Sequence, residues 1–501
     1  MNSNLYALIE SRMPQDRTRP CIETGEGRIF TWADLDRATA RLAHLLACLA
    51  LKPGARVAVQ VDKSPQALFL YLATLRAGFA FLPLNNAYQA SEIEYFIADA
   101  EPEVVVCGSR QSEWFEPIAR ARGVRHCFTL DEDGTGSLTD ASASMADEFP
   151  TVHRDQADLA AILYTSGTTG RTKGAMLSHR NLSSNAMTLV HYWRWRPGDV
   201  LIHALPIFHV HGLFVASHCA LLSQSRMIWL ARFDAAEVCR HLPRASVFMG
   251  VPTMYVRLLE EPALSIERAS AMRLFISGSA PLLPDTFREF EARTGHRILE
   301  RYGMSETVML SSNPYDGNRV AGTVGLPLPG VEIRVRDDAG RLCGTGEIGG
   351  IQVRGPNVFS AYWRMPDKTR EEFTEDGWFR TGDVGRWDAN AYLSIVGRSK
   401  DLIITGGYNV YPKEIEGWLD DMDGVFESAV FGVPHPDFGE AVTAAVVPRP
   451  GARLEPHSMV AALKARIAGF KVPKHIHVVD QLPRNQMGKV QKNLLRSQYG
   501  G

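Results

Sequence analysis

Several protein classes are excluded by what this sequence lacks. Cysteine is scarce: Cys21, Cys48, Cys107, Cys127, Cys219, Cys239 and Cys343 are the only seven among 501 residues, and no Cys-x-x-Cys pair occurs. An odd count at wide spacing suits neither a disulfide framework nor a zinc site, and it points to a reducing compartment. Charge of one sign is not in excess, because 54 basic residues face 56 acidic ones and leave a net charge of -2. Without a global basic field, no nucleic acid partner is expected, although a local cationic pocket fits the balance. Long apolar runs are missing too. The best candidate, around Ala67 to Leu84, is broken by Arg76 and Gly78, so no membrane association is expected. The opening Met1-Asn2-Ser3-Asn4-Leu5 has no basic stretch ahead of an apolar core, so no secretory leader is expected and the expected location is cytoplasmic. No internal repeat is evident.

What is present is ordinary globular composition, with 45% hydrophobic and 22% charged residues. The length exceeds what one hydrophobic core supports, so more than one core is expected. Strand and helix patterns alternate through the first third. Thr31-Trp32-Ala33-Asp34 opens a helix whose apolar positions Leu35, Ala38, Leu42, Leu45 and Leu46 recur at helical spacing. Arg56 to Val61 reads as a strand, a helix follows Pro65, a strand lies near Phe79 to Pro83, a helix spans about 90–100, and Val104-Val105-Val106 is the next strand. This grammar implies an α/β fold with a largely parallel sheet under helices. Residues 129–156 read as a polar surface excursion. From about 322 to 395, short strand-like runs between Gly and Pro turns suggest a β-rich part. After Gly397-Arg398-Ser399-Lys400-Asp401 a smaller α/β pattern restarts, with a helix near Pro412 to Met422, strands near Ala429 and Val442 to Val447, a helix near Met459 to Phe470 and a strand near Ile476 to Val479. The expected organisation is a large N-terminal domain over 1–398 and a small C-terminal domain over 399–501.

Two glycine motifs read differently. Tyr164-Thr165-Ser166-Gly167-Thr168-Thr169-Gly170-Arg171-Thr172-Lys173-Gly174 follows the apolar strand Leu159 to Leu163. Small residues there let backbone N–H groups approach an anion, while the hydroxyls and Lys173 add donors and charge. It is not a Walker A loop, because Thr172 rather than Gly precedes the lysine. Gly344-Thr345-Gly346-Glu347-Ile348-Gly349 does match G-x-G-x-x-G, but a strand-like run follows it instead of a helix. Those glycines read as turns.

The 164–174 loop resembles the signature of the adenylate-forming superfamily, which includes acyl-CoA synthetases, luciferases and peptide-synthetase adenylation domains. Further motifs occur in that family's order. They are Pro206-Ile207-Phe208-His209-Val210-His211-Gly212, Ser277-Gly278-Ser279-Ala280-Pro281-Leu282, Arg301-Tyr302-Gly303-Met304-Ser305-Glu306-Thr307, Thr381-Gly382-Asp383, Gly397 to Ile403, and Pro483-Arg484-Asn485-Gln486-Met487-Gly488-Lys489. The resemblance implies a mobile C-terminal domain and two half-reactions: a carboxylate attacks the α-phosphorus of ATP to give acyl-AMP and pyrophosphate, and a thiol, usually of coenzyme A, then displaces AMP.

It also implies roles. Thr165, Ser166, Gly167, Thr168, Thr169, Gly170 and Lys173 would hold the β- and γ-phosphates. Glu306 would ligate Mg²⁺. Tyr302, Gly303, Met304 and Thr307 would border the nucleotide, with Asp383 on the ribose hydroxyls and Arg398 nearby. Lys489 would be the catalytic lysine that neutralises charge at the α-phosphate. Lys400 occupies the hinge position, and Gly406 and Gly407 would admit the pantetheine arm of coenzyme A. Lys489, Gly-flanked in a basic tail, is also a plausible acetylation switch, with a lysine acetyltransferase as partner.

Arg301 departs from the family, many of whose members have a small residue before Tyr-Gly. A guanidinium suits a planar carboxylate bidentately. The expected substrate is therefore a short dicarboxylate, of which malonate is the smallest case and methylmalonate a close alternative. The run from Ser277 to Pro314 is similar to malonate-activating members. His209, His211, Ser277 and, after Val251-Pro252-Thr253-Met254-Tyr255, Arg257 are further candidates for that pocket. Three alternatives stand beside this reading: a short monocarboxylate with Arg301 paired internally, adenylation for a carrier protein, and a nucleotide-binding regulator without catalysis. No fused carrier is expected, since twelve residues follow Lys489. A metal pair of His209 and His211 lacks an evident third ligand.

Overall fold

The computed structural model describes residues 2–165, 172–405, 408–435, 438–467, 469–485 and 488–500. Its contacts group into two compact units. The first comprises Met1–Ala321, Pro327–Glu332 and Arg354–Thr374, and the second Gly322–Leu326, Ile333–Val353 and Glu375–Gly501. The mixed α/β class expected from the sequence is what the chain adopts. The expected boundary near residue 398 falls inside the second unit, where the Leu393–Arg398 strand meets the short turn Ser399–Asp401.

The first unit holds two sheets. One runs in the spatial order His126–Thr129, Val104–Cys107, Arg56–Gln60, Ala80–Pro83, Leu159–Thr165 and Lys173–Ser178. Its strands are parallel except the last pair, which is antiparallel. That pair is a hairpin, and residues 166–171, the centre of the expected phosphate loop, connect its strands. The second sheet carries Leu299–Met304, Leu274–Ser277, Val247–Gly250, Val200–His203, Arg226–Trp229 and Pro20–Thr24 as consecutive parallel neighbours. Its core packs Phe248, Tyr255, Phe275 and Phe290 edge to face. In open sheets of this kind, ligands gather where parallel strands end at their carboxyl side. Ser277 and His203 lie at such ends, and Arg301 follows the last parallel pair of its own strand.

Local chemistry explains the element boundaries. Trp32–Cys48 starts where Thr31 and Asp34 cap one another reciprocally, an arrangement worth about 1 kcal/mol. Pro65–Arg76 begins with proline at its first position behind a Ser64 cap. The polar stretch 129–156 is not wholly an excursion, since Ser137–Ser142 is helical and buries Leu138.

In the second unit, the β-rich part is a sheet ordered Glu332–Arg336, Gly349–Arg354, Phe379–Trp387 and Leu393–Arg398. The Gly344–Gly349 motif leads directly into its second strand, with Gly346 at φ +82°, so these glycines do form a turn. The C-terminal part is built on a long antiparallel pair, Val425–His435 with Gly439–Pro448, with cores on both faces. The helix expected near 459–470 is instead Pro456–Lys464, because Pro456 sets its first turn. The final helix, Lys492–Tyr499, has no counterpart in the sequence reading. The seven cysteines are all free thiols. No helix among the described residues is long and apolar enough to cross a membrane.

One charge cluster ties the stability of this unit to pH. Asp420 ends the Pro412–Asp420 helix and accepts a hydrogen bond from Ser428 Oγ at 2.7 Å. Burial, reinforced by Glu416 and Glu427 against the pull of Lys413, pushes its carboxyl up to about 7. Its folded value lies above its unfolded one, so the protonated form stabilises the fold at low pH and that contribution fades as pH rises through about 7. The thermal midpoint should fall between about pH 5 and about pH 8, and Asp420→Asn should flatten that slope and raise the midpoint at the alkaline end. Thermal unfolding across that range checks both.

Candidate active site

Two neighbouring regions of the first unit hold most of the expected residues. The nucleotide side is a tight hairpin. Leu299–Met304 turns into Val308–Ser312 through Ser305-Glu306-Thr307, closed by the Thr307 N–H on the Met304 carbonyl at 3.1 Å. Val308 sits at φ +55°, a left-handed conformation that strains a β-branched residue. A Cβ at Gly303 would overlap the Val308 carbonyl oxygen. Glycine at 303 is thus a steric condition of the turn that presents Glu306.

The segment 357–362 clamps this hairpin. Asn357 Nδ2 donates to the Thr307 and Met309 carbonyls at 2.8 and 2.9 Å. The Phe359 N–H donates to the Glu306 carbonyl at 2.8 Å, and Tyr362 Oη donates to Glu306 Oε1 at 3.0 Å. Lys173 lies over the same ring, its Nζ 4.4 Å from the Tyr362 centroid and 3.2 Å from Glu372 Oε1. Tyr362 therefore joins a cation at the end of the phosphate loop to a carboxylate that is 4% exposed. Thr165 Oγ1 donates to the Lys173 carbonyl across the hairpin base at 3.4 Å. Ser166, Gly167, Thr168, Thr169 and Gly170 lie outside the described residues, as do Gly406 and Gly407.

Glu306 suits a Mg²⁺ held mainly by phosphates. Such an ion takes one or two carboxylates and completes its shell with water and substrate oxygens. No group of three or more His, Cys, Asp or Glu that could cage a metal occurs among the described residues, so the His209–His211 metal pair finds no support.

The acyl side centres on Arg301, which is 3% exposed. Its Nε and Nη2 have no hydrogen-bond partner among the described residues. No ion pair to an internal Glu or Asp is present among them. Burial pushes the guanidinium down to about 9, opposed by Tyr255. Ser277 Oγ, Thr307 Oγ1 and His211 Nε2 are likewise buried without partners among the described residues. Ser277 ends the strand beside Leu299–Met304, opposite Glu300. Glu300 is engaged elsewhere, accepting from the Leu282 N–H at 3.3 Å. His211 makes a long 3.5 Å contact with Ser279 Oγ. Burial first, and then Arg301, hold His211 well below the ordinary imidazole value, so it is neutral. Two polar groups wanting partners, Ser277 and His211, beside one cationic centre describe a pocket for a small anion.

Gly278 makes room for this centre. A Cβ there would lie 2.5 Å from Arg301 Cζ and Nη1. Sequence reasoning did not single out Gly278, Tyr362 or Glu372. Nothing in the order Ala361-Tyr362-Trp363 signals that its tyrosine meets a carboxylate 56 positions away. Among the remaining expectations, Tyr302 and Met304 are half-buried beside the hairpin, and His209 is half-buried with its Nδ1 3.4 Å from the His211 N–H. Arg257 is exposed on the Pro252–Glu260 helix, whereas Tyr255 of that helix is buried and donates to the Ile276 carbonyl at 2.7 Å.

Within the second unit, Asp383 pairs across strands with Arg398, and Arg398 Nε stands 2.9 Å from Asp383 Oδ1. Gly382, at φ +72°, and a Thr381 hydroxyl that accepts from the Asp383 N–H shape that turn. Lys400 lies in the Ser399–Asp401 turn, where partial burial and then Arg398 push its ammonium down from the ordinary value. Lys489 is exposed on a turn closed by Asn485. The two residues exchange backbone and side-chain hydrogen bonds at 2.9 and 3.0 Å, and Gly488 adopts φ +72°.

Comparison with known proteins gives the following. The description "AMP-binding enzyme" matches residues 9–363, and "AMP-binding enzyme C-terminal domain" matches residues 414–489. The chain is 36% identical over 475 residues to a malonate–CoA ligase of Arabidopsis thaliana, covering 88% of this chain and 78% of that one. It is 34% identical over 479 residues to a feruloyl-CoA synthase of an Amycolatopsis species, covering 95% of both. ATP-bound MatB from Rhodopseudomonas palustris superposes with a TM-score of 0.97 at 55% identity, covering 100% of this chain and 99% of that one.

The hairpin geometry sets one expectation. Gly303→Ala meets main chain that cannot yield, so it should lose about 1–3 kcal/mol of stability or fail to accumulate as folded protein. Urea unfolding against wild type measures this. Retention of full stability would show that Val308 and its carbonyl can shift.

Proposed function

The chain belongs to the AMP-binding enzyme family, and on that premise we propose that it is an ATP-dependent malonate–CoA ligase, with methylmalonate as a further candidate substrate. It is an AMP-forming acid–thiol ligase that uses ATP, Mg²⁺ and coenzyme A. The observation that carries the substrate is the buried, unpartnered Arg301 guanidinium. Similarity to relatives does not carry it alone, since a malonate–CoA ligase and a feruloyl-CoA synthase match almost equally well. A feruloyl group would leave the charge unpaired, and an unpaired buried charge is strongly destabilising. A second carboxylate pairs it.

In this reading one carboxylate of the acid accepts hydrogen bonds from Arg301 Nε and Nη2, with Ser277 and neutral His211 as further donors. His209 and Arg257 remain weaker candidates for the rim. The other carboxylate is thereby aimed at ATP. One of its oxygens attacks the α-phosphorus, the bond to the bridging oxygen breaks, and pyrophosphate leaves. Phosphoryl transfer of this kind depends on positioning and charge stabilisation. Thr165, the loop 166–170 and Lys173 hold the outer phosphates, while Tyr302, Gly303, Met304 and Thr307 border the nucleotide. Glu306 would hold Mg²⁺, which neutralises phosphate charge when bound. Asp383, supported by Arg398, accepts from the ribose hydroxyls, and Lys489 supplies charge to the α-phosphate.

The thiol of coenzyme A then attacks the acyl carbon, loses its proton and expels AMP. We assign 1–398 and 399–501 as the two domains of the cycle, with Lys400 as the hinge and Gly406 and Gly407 on the thiol path. The exposed side chain of Lys489 suits modification by a lysine acetyltransferase, which would remove the charge that adenylation needs. Free cysteines support a cytoplasmic location.

The test is AMP formation with malonate, methylmalonate, succinate, acetate and butyrate, for wild type and Arg301→Ala. Losing one partner of a buried charge pair costs about 3–5 kcal/mol. Malonate efficiency should therefore fall about a hundred- to several-thousand-fold. Gly278→Ala, whose nearest neighbours are atoms of the Arg301 guanidinium rather than main chain, should displace that guanidinium and raise the malonate KM. Preference for acetate or butyrate, or indifference to Arg301→Ala, would remove malonate and leave an adenylating ligase.

A further inference from the structure

Lys63 is a buried cation that neither half-reaction uses. It follows the Arg56–Gln60 strand and is 7% exposed. Its Nζ donates to His203 Nδ1 at 3.0 Å and to the His203 and Leu230 carbonyls, each at 2.7 Å. It also stands 4.5 Å from the centre of the Trp229 ring. No carboxylate forms an ion pair with it among the described residues. Its three acceptors belong to two neighbouring strands of the other sheet, so Lys63 pins the two sheets of the first unit together.

The hydrogen-bond pattern admits one protonation state. His203 Nε2 faces the Gly212 carbonyl and Ser217 Oγ, each at 3.1 Å, and the Ser217 hydroxyl donates to that same carbonyl at 2.9 Å. A carbonyl only accepts, so Nε2 carries a proton, and burial with Lys63 alongside holds His203 well below the ordinary imidazole value, which leaves Nδ1 bare as the acceptor. Lys63 then makes three donations, which requires the ammonium form. The Gly212 carbonyl also accepts the Ser217 N–H, five residues on, which defines His211–Ala216 as a π-turn. Such turns are rare and concentrate at functional sites. A Cβ at Gly212 would overlap the Pro206 carbonyl oxygen, so the turn is pressed against its own approach loop. His211 is the next residue back.

We propose that Lys63 is a positioning residue for the acyl pocket: by holding the Nδ1 and carbonyl of His203 it keeps the Nε2–H aimed at Gly212, holds the π-turn open and sets where His211 stands beside Ser279 and Arg301. The assignment of His211 to that pocket rests on the reading above. The histidine tautomer and the turn do not.

Lys63 also borders a cavity of about 550 Å³ with Pro206, Phe208 and Met254, so a small amine can reach its position. The test uses Lys63→Met, Lys63→Ala and wild type. In ¹⁵N-histidine-labelled protein, with His203 identified by its loss in His203→Asn, Lys63→Met should remove the hydrogen bond to His203 Nδ1 and move that nitrogen's resonance toward the value of an unbonded ring nitrogen. The malonate KM should rise at least about tenfold, the order expected for a displaced substrate-facing group, while the KM for ATP stays within about twofold. Added n-propylammonium should restore the malonate KM of Lys63→Ala, and n-propanol should not. An unchanged His203 signature would overturn the proposal. So would a lowered melting midpoint with malonate and ATP affected alike. The histidine signature is read with no acid present, so a wild type that ignored malonate would sink the substrate reading and not this one.

Discussion

A charged arginine shut away from water sets the terms of this structure. Arg301 lies on the third position of a strand whose neighbours are packed core, and two of its nitrogens have no partner among the described residues. Elsewhere in the fold, buried cations are answered. Arg273 meets Asp199, and Arg76 meets Tyr6, Thr39 and Asp36. On the proposed function, a fold that satisfies those groups and leaves Arg301 unsatisfied keeps stability in reserve for a ligand. A carboxylate entering the pocket gains a charge-assisted pair without first displacing an internal one.

The surroundings of Arg301 are arranged by backbone as much as by side chain. Gly278 leaves the space that the guanidinium fills, and Ser279 follows it at φ +73°. Gly303 leaves the space for the Val308 carbonyl, and Val308 accepts a strained conformation so that Glu306 can face Tyr362. Gly278 directly follows the Leu274–Ser277 strand and Gly303 lies on its parallel neighbour, toward the carboxyl end where such sheets place ligands. Strain of this kind persists only where neighbours over-determine it, as Asn357 and Phe359 do here.

How much of this the sequence disclosed depends on range. Local chemistry was legible: the Thr31–Asp34 capping pair, Pro65 at a helix start and the valine run at 104–106 each act within a few residues. Arg301 was legible as a departure within a familiar motif, and the lack of an internal partner is what the structure adds. Tyr362, Gly278 and Lys63 were not legible. Each acts on a residue at least 23 positions away, through contacts that only the packing of separate strands creates. The π-turn was hidden for another reason. His211 to Ala216 carries no local signal for it, because one additional residue in a turn leaves no trace in an apolar pattern.

Lys63 and Arg301 are two buried cations of one unit, and the contrast between them separates structure from function. Lys63 has three hydrogens and three fixed acceptors, all neutral, and so is complete without a counter-ion. Burial drives its ammonium well below the ordinary value, yet deprotonation would leave one acceptor unserved. Arg301 is not complete: its planar fork presents parallel donors where no carbonyl or carboxylate of the described chain meets them. A lysine whose every donor is spent can hold two sheets in register but offers nothing to a ligand. A guanidinium with donors to spare adds little to the empty fold and is matched to the one anion geometry, a planar carboxylate, that fills both at once.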